Sequence, residues 1–414
     1  MNIRIIDDIS SIRKNIIKED HIMIVKEIID NVRRYGDQAL KDYAKRFDNI
    51  ELDELRISKE EIDDAYNHVS KKEIKALEEM IRRVKRVEEE TLDALNSINL
   101  CIDGINIKRY FTPIENIGCY IPGGKAKYPS SVVMCSIPAR VANVKRIIVT
   151  TPNPDPLTLV ATDLCKIDEI YNIGGAQAIA AMAYGTESIE RVDKIVGPGG
   201  IFVTIAKYLV SNRVSIDMLA GPTELLIIAD RTANPKFIAY DLAAQAEHSN
   251  DTLCGLITND ELLIKHTIKE LDELLTSTER SAIIRNSLES NGFIIRCNDM
   301  DEAINIADEL AVEHLEIIAE NANELSKKVN SAGLILINEY SSSLASDYMF
   351  GTNHVLPTLG FARSRGSLSV LDFLKLSTSA EASKEGLAKI IEHINVISNA
   401  EGLPNHAKAV GVRL

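Results

Sequence analysis

Residues 146–196 read RIIVTTPNPDPLTLVATDLCKIDEIYNIGGAQAIAAMAYGTESIERVDKIV, and this stretch decides the fold class. Short β-branched runs at 146–150, 169–173 and 194–196 alternate with two segments of helical composition, 157–165 and 176–184. Such alternation predicts βαβ units, in which successive strands lie parallel in one sheet. The stretch therefore predicts an α/β fold.

The same alternation extends in the C-terminal direction, with predicted strands at 225–229, 253–258, 293–297 and 334–337. A chain of 414 residues is also too long for one typical core. We predict two Rossmann-like but incomplete parallel-sheet domains, one inserted in the other, with small helical appendages at both ends. The expected division is an N-terminal helical arm at 1–20, a larger domain at 21–118 plus 225–368, an inserted domain at 119–224, and a C-terminal dimerisation tail at 369–414 with a helix over 379–395.

The first hundred residues are highly charged and carry two helix-start signals. Ser58-Lys59-Glu60-Glu61 and Ser70-Lys71-Lys72-Glu73 each match a capping box. The run 73–95 that follows is too short for the sustained heptads of a coiled coil, so we predict a packed surface helix.

Composition and charge exclude several classes of protein. A net charge of −14 and a pI near 5.2 argue against nucleic-acid and anionic-membrane partners, which favour a basic surface. The first 20 residues lack the apolar core of a signal peptide, and no run approaches the roughly 18 apolar residues of a membrane helix. The six scattered cysteines predict free thiols in a reducing compartment, and hence a cytoplasmic protein.

Four Gly/Pro clusters lie where predicted strands end. Glycine lets the backbone approach a ligand closely, and a following helix N-terminus favours phosphate. Plain tight turns are the alternative for any single cluster, and the dinucleotide fingerprint GxGxxG is absent. The clusters are Tyr120-Ile-Pro-Gly-Gly124, Gly174-Gly-Ala-Gln177, Val196-Gly-Pro-Gly-Gly200 and Ala220-Gly-Pro-Thr-Glu224.

Two further stretches carry metal-ligand or acid–base side chains. Gln245 and His248 are spaced i, i+3 on a predicted helix and share one face, where both could reach a metal ion. Glu313 and His314 place a carboxylate beside an imidazole that titrates near neutrality, in a context we interpret as helical. An ordinary solvated face is the alternative for each pair.

Nitrogen and oxygen ligands for zinc are also available nearer the C-terminus. Asp347 and His354 lie in a loop-like stretch, and His406 lies on the polar tail. Spacing alone does not establish that these side chains converge with Gln245 and His248.

Together these blocks resemble the histidinol dehydrogenase family, from about residue 20 to the end of the chain. The match is long and collinear. The blocks are GCYIPGGKAKYPSSVVM (118–134), NIGGAQAIAAMAYGTESI (172–189), VDKIVGPGG (192–200), IDMLAGPTELLIIAD (216–230), DLAAQAEHS (241–249), EHLEI (313–317), DYMFGTNHVLPTLGFAR (347–363) and EGLPNHAKAV (401–410).

The resemblance implies an enzyme that oxidises L-histidinol to L-histidine through histidinal, in two NAD-dependent hydride transfers. His314 would take the hydroxyl proton, Glu313 would then activate water, and one zinc ion per subunit would position the amino alcohol and imidazole of the substrate. The implied zinc ligands are Gln245, His248, Asp347 and His406.

The resemblance also implies substrate, cofactor and partner contacts. The cofactor-contact positions are Tyr120, Gln177 and Gly200, and the substrate-contact positions are Thr223, Gln245, His248, His314, Asp347, Glu401 and His406. The family is a homodimer whose tail completes the neighbouring site, so Glu401 and His406 would act in trans.

The chain departs from the family pattern at several positions, none of which removes a catalytic group. Gly200 stands where an asparagine is usual, which puts one cofactor hydrogen bond in doubt. The other departures are Thr223 for serine, Val312 for proline, Ser346 for glycine and Ser364-Arg365 for Phe-Ser. The alternative hypotheses are a related dehydrogenase of another polar alcohol, such as a sulfonated diol, and a non-catalytic scaffold protein.

Overall fold

The computed structural model describes residues 1, 3–6, 9, 12, 18–123 and 127–414. Its strands are β1 Arg4–Ile5, β2 Ile98–Ile102, β3 Ile105–Pro113, β4 Asn116–Tyr120, β5 Arg146–Thr150, β6 Glu169–Tyr171, β7 Lys194–Val196, β8 Ser215–Ile216, β9 Glu224–Ala229, β10 Leu253–Thr258, β11 Phe293–Arg296, β12 His314–Ile318, β13 Leu334–Ile337 and β14 Leu374–Ala382.

Helices lie between almost all of the parallel strands. They are α1 Glu19–Tyr43, α2 Lys59–Ala65, α3 Lys71–Asp93, α4 Pro129–Val141, α5 Pro156–Leu164, α6 Gly175–Tyr184, α7 Ile201–Val210, α8 Pro235–Ala246, α9 Glu261–Leu274, α10 Ser281–Ser290, α11 Met300–Leu310, α12 Ala322–Ser326, α13 Ser343–Tyr348, α14 Lys384–Ala400 and α15 Pro404–Gly411. A π turn at Ala44–Asp48 and 3₁₀ turns at Tyr66–His68, Phe361–Arg363 and Val370–Phe373 complete the set.

Two parallel sheets confirm the predicted fold class. One has five strands in the order β6-β5-β4-β7-β8, and the other has six in the order β1-β11-β10-β9-β12-β13. The five-stranded sheet occupies the chain between β1 and β9, so one unit is inserted in the other. The central strands are buried and mostly apolar because helices cover both faces of each sheet.

The N-terminal helices pack differently from the expected grouping of residues 21–118 with the larger domain. α1 contacts α6 and α7, α2 contacts α5, and α3 contacts α4, all of which flank the five-stranded sheet. The physical reason is that the apolar faces of α1 and α3 pack into the two hydrophobic clusters that flank that sheet. The domain boundaries remain a prediction. By their contacts, α1, α2 and α3 group with the inserted unit.

The N-terminal arm was expected to be helical, and most of 1–20 lies outside the described residues. The described part includes a strand, since Arg4 and Ile5 pair in parallel with Phe293 and Ile294 at the edge of the six-stranded sheet. A helix begins only at Glu19.

A third, antiparallel sheet of order β14-β3-β2 was not predicted. Residues 379–382, expected as the start of a helix, form the end of β14, and the helix runs from Lys384 to Ala400. Pairing between β14 and β3 joins residues more than 260 positions apart, for example Leu374 with Pro113. Local sequence patterns do not reveal such pairing.

Two expectations about the neighbourhood of candidate site residues were wrong. Residues 314–318, interpreted as helical, form strand β12, because α11 ends at Leu310 and Ala311 adopts a left-handed conformation. Asp347, expected in a loop, lies on the short helix α13.

Other local predictions are confirmed. Both capping boxes are present. The Ser58 and Ser70 hydroxyls accept the backbone N–H groups of Glu61 and Glu73, and the Glu61 and Glu73 carboxylates accept the backbone N–H groups of the two serines. The six cysteines are free, and five of them are buried. Among the described residues, none of the helices has the length and apolar character needed to span a bilayer.

Glu88 on α3 is a buried carboxylate outside the candidate site. Its Oε2 accepts the N–H of Val370 at 2.6 Å, and only 4% of the residue is exposed. Burial raises its pKa to about 7 against the opposing effect of the hydrogen bond from Val370, and the charge of Asp372 adds a smaller increase. The folded protein therefore binds a proton here more tightly than the unfolded chain does.

We expect Glu88→Gln to raise the free energy of unfolding at pH 8 by about 1–3 kcal/mol. The favourable contribution of protonated Glu88 is fully present below its unfolded pKa near 4.5 and is lost as pH rises through the folded value near 7. Urea unfolding between pH 4.5 and 8 measures how the free energy of unfolding depends on pH. The substitution should remove the part of that dependence that Glu88 causes. Glu89→Gln, an exposed neighbour, is the control, and an identical pH dependence in both variants would contradict the expectation.

Candidate active site

The carboxyl edge of the five-stranded sheet gathers the predicted cofactor-contact residues. Strand β4 is the topological switch point, because β5 lies on one side of it and β7 on the other. Tyr120 ends β4, Gln177 lies in the first turn of α6 after β6, and Gly200 caps α7 after β7. The three positions thus share the edge at which open α/β sheets bind ligands.

Close backbone packing shapes this edge. Gly197 has φ +118°, and a Cβ there would lie 2.1 Å from the carbonyl oxygen of Tyr120, so only glycine fits. The Tyr120 hydroxyl accepts the N–H of Gly175 at 3.1 Å. Gln177 is buried, and its Oε1 has no hydrogen-bond partner among the described residues. An unsatisfied amide oxygen beside a glycine turn is suited to receive a ligand donor.

Gly200 has open space around it, since a Cβ at this position would meet no atom within 4 Å. Gly124 of the first Gly/Pro cluster lies outside the described residues.

Five further candidate residues lie at the amino edge of the six-stranded sheet. Thr223 precedes β9, Glu313 and His314 begin β12, and Gln245 and His248 lie at the end of α8, ahead of β10. Strand β9 is central, with β10 and β12 as its neighbours. Three adjacent parallel strands therefore bring these five residues to one edge.

Gln245 is the most unusual of these side chains. It is fully buried, and neither Oε1 nor Nε2 has a hydrogen-bond partner among the described residues. Leaving a buried amide unpaired costs about 1–3 kcal/mol for each group, so a native structure normally satisfies it. A metal ion at Oε1 would satisfy the acceptor.

His248 lies just beyond the end of α8 and is oriented by the helix. Its Nδ1 donates to the Gln245 carbonyl oxygen at 3.1 Å, which leaves the lone pair of Nε2 available to a metal ion. Metal-ligating histidines are commonly oriented by a hydrogen bond of this kind.

His314, Asp347 and Glu313 form a buried acid–base group. The His314 Nε2 lies 3.3 Å from the Asp347 Oδ1, and its Nδ1 lies 3.8 Å from the Glu313 Oε2. Glu313 Oε2 also accepts the N–H of Glu224 at 2.8 Å. Burial raises the pKa of Glu313 to about 8, against the opposing charge of His314. Burial lowers the pKa of His314, but the hydrogen bond to Asp347 and the charge of Glu313 raise it to about 9.

His354 links this group to the inserted unit. Its Nδ1 donates to the Asp347 carbonyl oxygen at 3.0 Å, and its Nε2 lies 3.3 Å from the Ser131 Oγ. Ser131 lies in the first turn of α4, shortly after the carboxyl end of β4. This contact brings the Asp347 segment next to the cofactor-contact edge, and although Ser131 lies within the block 118–134, the sequence predicted no role for it.

Glu401 and His406 are not joined to the other candidates. Both are exposed on the α14–α15 tail, and no recorded hydrogen bond or ion pair of the described chain connects them to Gln245, His248 or Asp347. Consistently, the described residues contain no cluster of three or more His, Cys, Asp or Glu side chains able to hold a metal ion. Within one chain, Gln245 and His248 lie at the sheet edge that carries His314, His314 contacts Asp347, and the fourth predicted ligand lies apart from them.

The site geometry can now be set beside known proteins. A family model described as histidinol dehydrogenase matches residues 12–414. The chain belongs to the histidinol dehydrogenase family. Histidinol dehydrogenases from Methanocaldococcus jannaschii and Bacillus thuringiensis subsp. konkukian are 42% and 45% identical to it, covering 96% of this chain in both cases and 93% and 94% of theirs.

A solved structure agrees with this membership. The crystal structure of histidinol dehydrogenase from Elizabethkingia anophelis superposes with a TM-score of 0.94 at 37% identity, covering 99% of this chain and 98% of that one. Membership of the histidinol dehydrogenase family makes the chain an oxidoreductase.

Proposed function

We propose that the protein oxidises L-histidinol to L-histidine through histidinal, using two molecules of NAD and one zinc ion per subunit. The observation that carries the proposal is the buried, unpaired Gln245 amide next to His248 and the His314–Asp347 pair at one sheet edge. Family membership supports the substrate.

The donor set fits zinc, which accepts imidazole nitrogen and carboxylate or amide oxygen. Gln245, His248 and Asp347 would hold the ion, with His406 of a second copy as the fourth ligand. When bound, zinc supplies a Lewis acid that orients the substrate's amino alcohol and imidazole and lowers the pKa of the hydroxyl.

The acid–base residues divide the proton transfers between them. His314 in its neutral form would accept the hydroxyl proton while hydride passes to NAD, and its contact with Asp347 would stabilise the imidazolium that forms. Glu313 then activates water for attack on histidinal, since burial raises its pKa to about 8 and makes it a stronger base than an exposed carboxylate. A second hydride transfer gives the carboxylate product.

Cofactor binding is proposed at the carboxyl edge of the five-stranded sheet. Tyr120, Gln177 and Gly200 meet there, and Gln177 offers an unpaired Oε1. The missing asparagine side chain at Gly200 would weaken NAD binding by one hydrogen bond, about 0.5–1.5 kcal/mol. Thr223 retains a hydroxyl for the substrate.

A homodimer with shared sites is proposed because the tail presents apolar surface as well as candidate ligands. Val396 is 66% exposed and Val412 is 82% exposed, and Ile397 and Leu403 are also exposed. Apolar side chains grouped on one segment favour burial against another chain. Docking of the tail on a second copy would bring Glu401 and His406 to that copy's site.

We expect mixed dimers to recover activity from two inactive parents. His314→Ala and His406→Ala protomers, unfolded together and refolded, can form hybrids in which one of the two sites has every residue intact. Up to half of the wild-type activity per hybrid dimer is expected, measured on hybrids purified by two different affinity tags. Hybrids that form but remain inactive would contradict the shared site.

We also propose a cytoplasmic location, because free thiols persist in a reducing compartment. The acidic chain gives no reason to expect a nucleic-acid or membrane partner.

The stoichiometry of NADH to histidine tests the proposed function. Zinc-loaded protein should form two NADH per histidine released from L-histidinol, lose this activity on chelation and regain it when zinc is returned. Folded, zinc-loaded protein with no turnover of L-histidinol would contradict the substrate, and a related polar alcohol would be the next substrate to assay.

A further inference from the structure

A second layer of polar side chains lies behind the candidate metal and acid–base residues. Three elements carry the first layer: α8 carries Gln245, β12 carries His314 and α13 carries Asp347. Each of these elements also carries a polar residue one helical turn earlier or two strand positions later. These residues are Asp241 on α8, Glu316 on β12 and Ser343 on α13.

The spacing places each second-layer residue on the same face as its first-layer partner. Residues i and i+4 share a helix face, and residues i and i+2 share a strand face. Asp241 is four positions before Gln245, Ser343 is four before Asp347, and Glu316 is two after His314. The two layers therefore follow one another along the same three elements.

The second layer is joined by hydrogen bonds between the elements. Glu316 Oε1 accepts the N–H of Ser343 at 2.7 Å, which ties β12 to the start of α13. Asp241 Oδ1 accepts the hydroxyl of Ser342 at 2.7 Å, which ties α8 to the same point. The carboxyl groups of Glu316 and Asp241 are also close enough for each to shift the pKa of the other, which links β12 to α8.

The contact between the two carboxyl groups requires a proton at neutral pH. Burial, with the nearby charge of Asp241, raises the pKa of Glu316 to about 8, and burial also raises the pKa of Asp241. Glu316 is 1% exposed, so its protonated form donates to the Asp241 carboxylate without competition from water.

We propose that Asp241 and Glu316 are positioning residues for the metal site, which hold α8, β12 and α13 together so that Gln245, His314 and Asp347 converge. They touch neither substrate nor metal and act through the elements that carry the ligands. This inference rests on the proposed function, because it concerns a zinc site. It predicts that metal affinity depends on a carboxyl contact behind the ligands.

Zinc affinity of purified variants, measured by competition with a chromophoric chelator, tests the inference. Asp241→Ala and Glu316→Ala each break the link, and we expect zinc to bind about 10-fold or more weakly. Glu316→Gln should stay within about threefold of the wild type, because its amide mimics the protonated acid, donating to Asp241 and accepting from Ser343. Glu316→Asp keeps a carboxyl group, but its shorter side chain should not reach Asp241. It tests the same link if the alanine variants fail to fold.

A remote buried glutamate provides the control for a merely structural role. Glu88→Ala removes a carboxylate on α3 that also accepts a backbone N–H, but from Val370 rather than from an element that carries a proposed zinc ligand. It should lower Tm without changing zinc affinity. Alanine and aspartate variants that lower Tm in the same way but keep wild-type zinc affinity would overturn the inference alone. Wild-type protein that binds no zinc would overturn both the inference and the proposed function.

Discussion

Replacing His314 with asparagine is expected to lower kcat for L-histidinol by about 10²–10⁴-fold, the usual contribution of a general base. His314 is 2% exposed and lies 3.3 Å from Asp347, so no water can easily take its place as proton acceptor. Asparagine fills much of the same volume and can still donate to Asp347, which limits structural disturbance. Steady-state kinetics with L-histidinol and with histidinal measure the effect.

The two substrates separate the roles of His314 and Glu313. Oxidation of histidinal should suffer less than oxidation of histidinol, since Glu313 is the residue proposed to activate water in that step. His266→Asn, on the exposed face of α9, is the matched control and should leave kcat unchanged. A His314→Asn enzyme that binds zinc and retains kcat within about threefold would contradict the assignment of the base.

Replacing Lys207 with methionine is expected to lower the free energy of unfolding by about 3–5 kcal/mol, because it leaves a buried charge without its partner. Lys207 and Asp217 are 2% and 0% exposed and form an ion pair inside the inserted unit. Lys207 Nζ also donates to the Gly197 carbonyl oxygen at 3.0 Å, and Asp217 Oδ2 accepts the Gly197 N–H at 2.7 Å. The pair therefore holds the N–H and the carbonyl group of Gly197, whose positive φ glycine adopts readily.

Urea unfolding followed by circular dichroism measures this loss. Lys207→Met/Asp217→Asn should recover part of it, since the double change removes both charges while the amide still accepts from Gly197. Lys269→Met breaks an exposed ion pair with Glu273 and should cost under about 1 kcal/mol. Equal losses in Lys207→Met and Lys269→Met would contradict the expectation.

Local signals predicted much of the fold because they depend on neighbouring residues. The β-branched run 146–150 and the capping boxes at Ser58 and Ser70 match the structure residue by residue. The run 313–318 was assigned to a helix because a short apolar run has no distinct period. Its strand identity follows from β9 and β13, which pair with it on either side.

The candidate site was only partly predictable for the same reason. Gln245 and His248 share a helix face by spacing alone, but the absence of any partner for the Gln245 amide emerges only when the surrounding core is in place. Glu316 stood within a recognised block, EHLEI, yet its contact with Asp241 joins residues 75 positions apart. Ser131 likewise lay within the block 118–134, yet its contact with His354 joins residues 223 positions apart.

By itself, the sequence determined the α/β class and the family and singled out the candidate acid–base and ligand side chains, because periodicity and motif spacing are local properties of the chain. Tertiary structure decided where those side chains lie. It placed Glu313 and His314 at the amino edge of the six-stranded sheet rather than the carboxyl edge expected for ligands, and it left His406 apart from the other candidate ligands. Such convergence depends on strand order and on packing between distant residues, which no short stretch of sequence encodes.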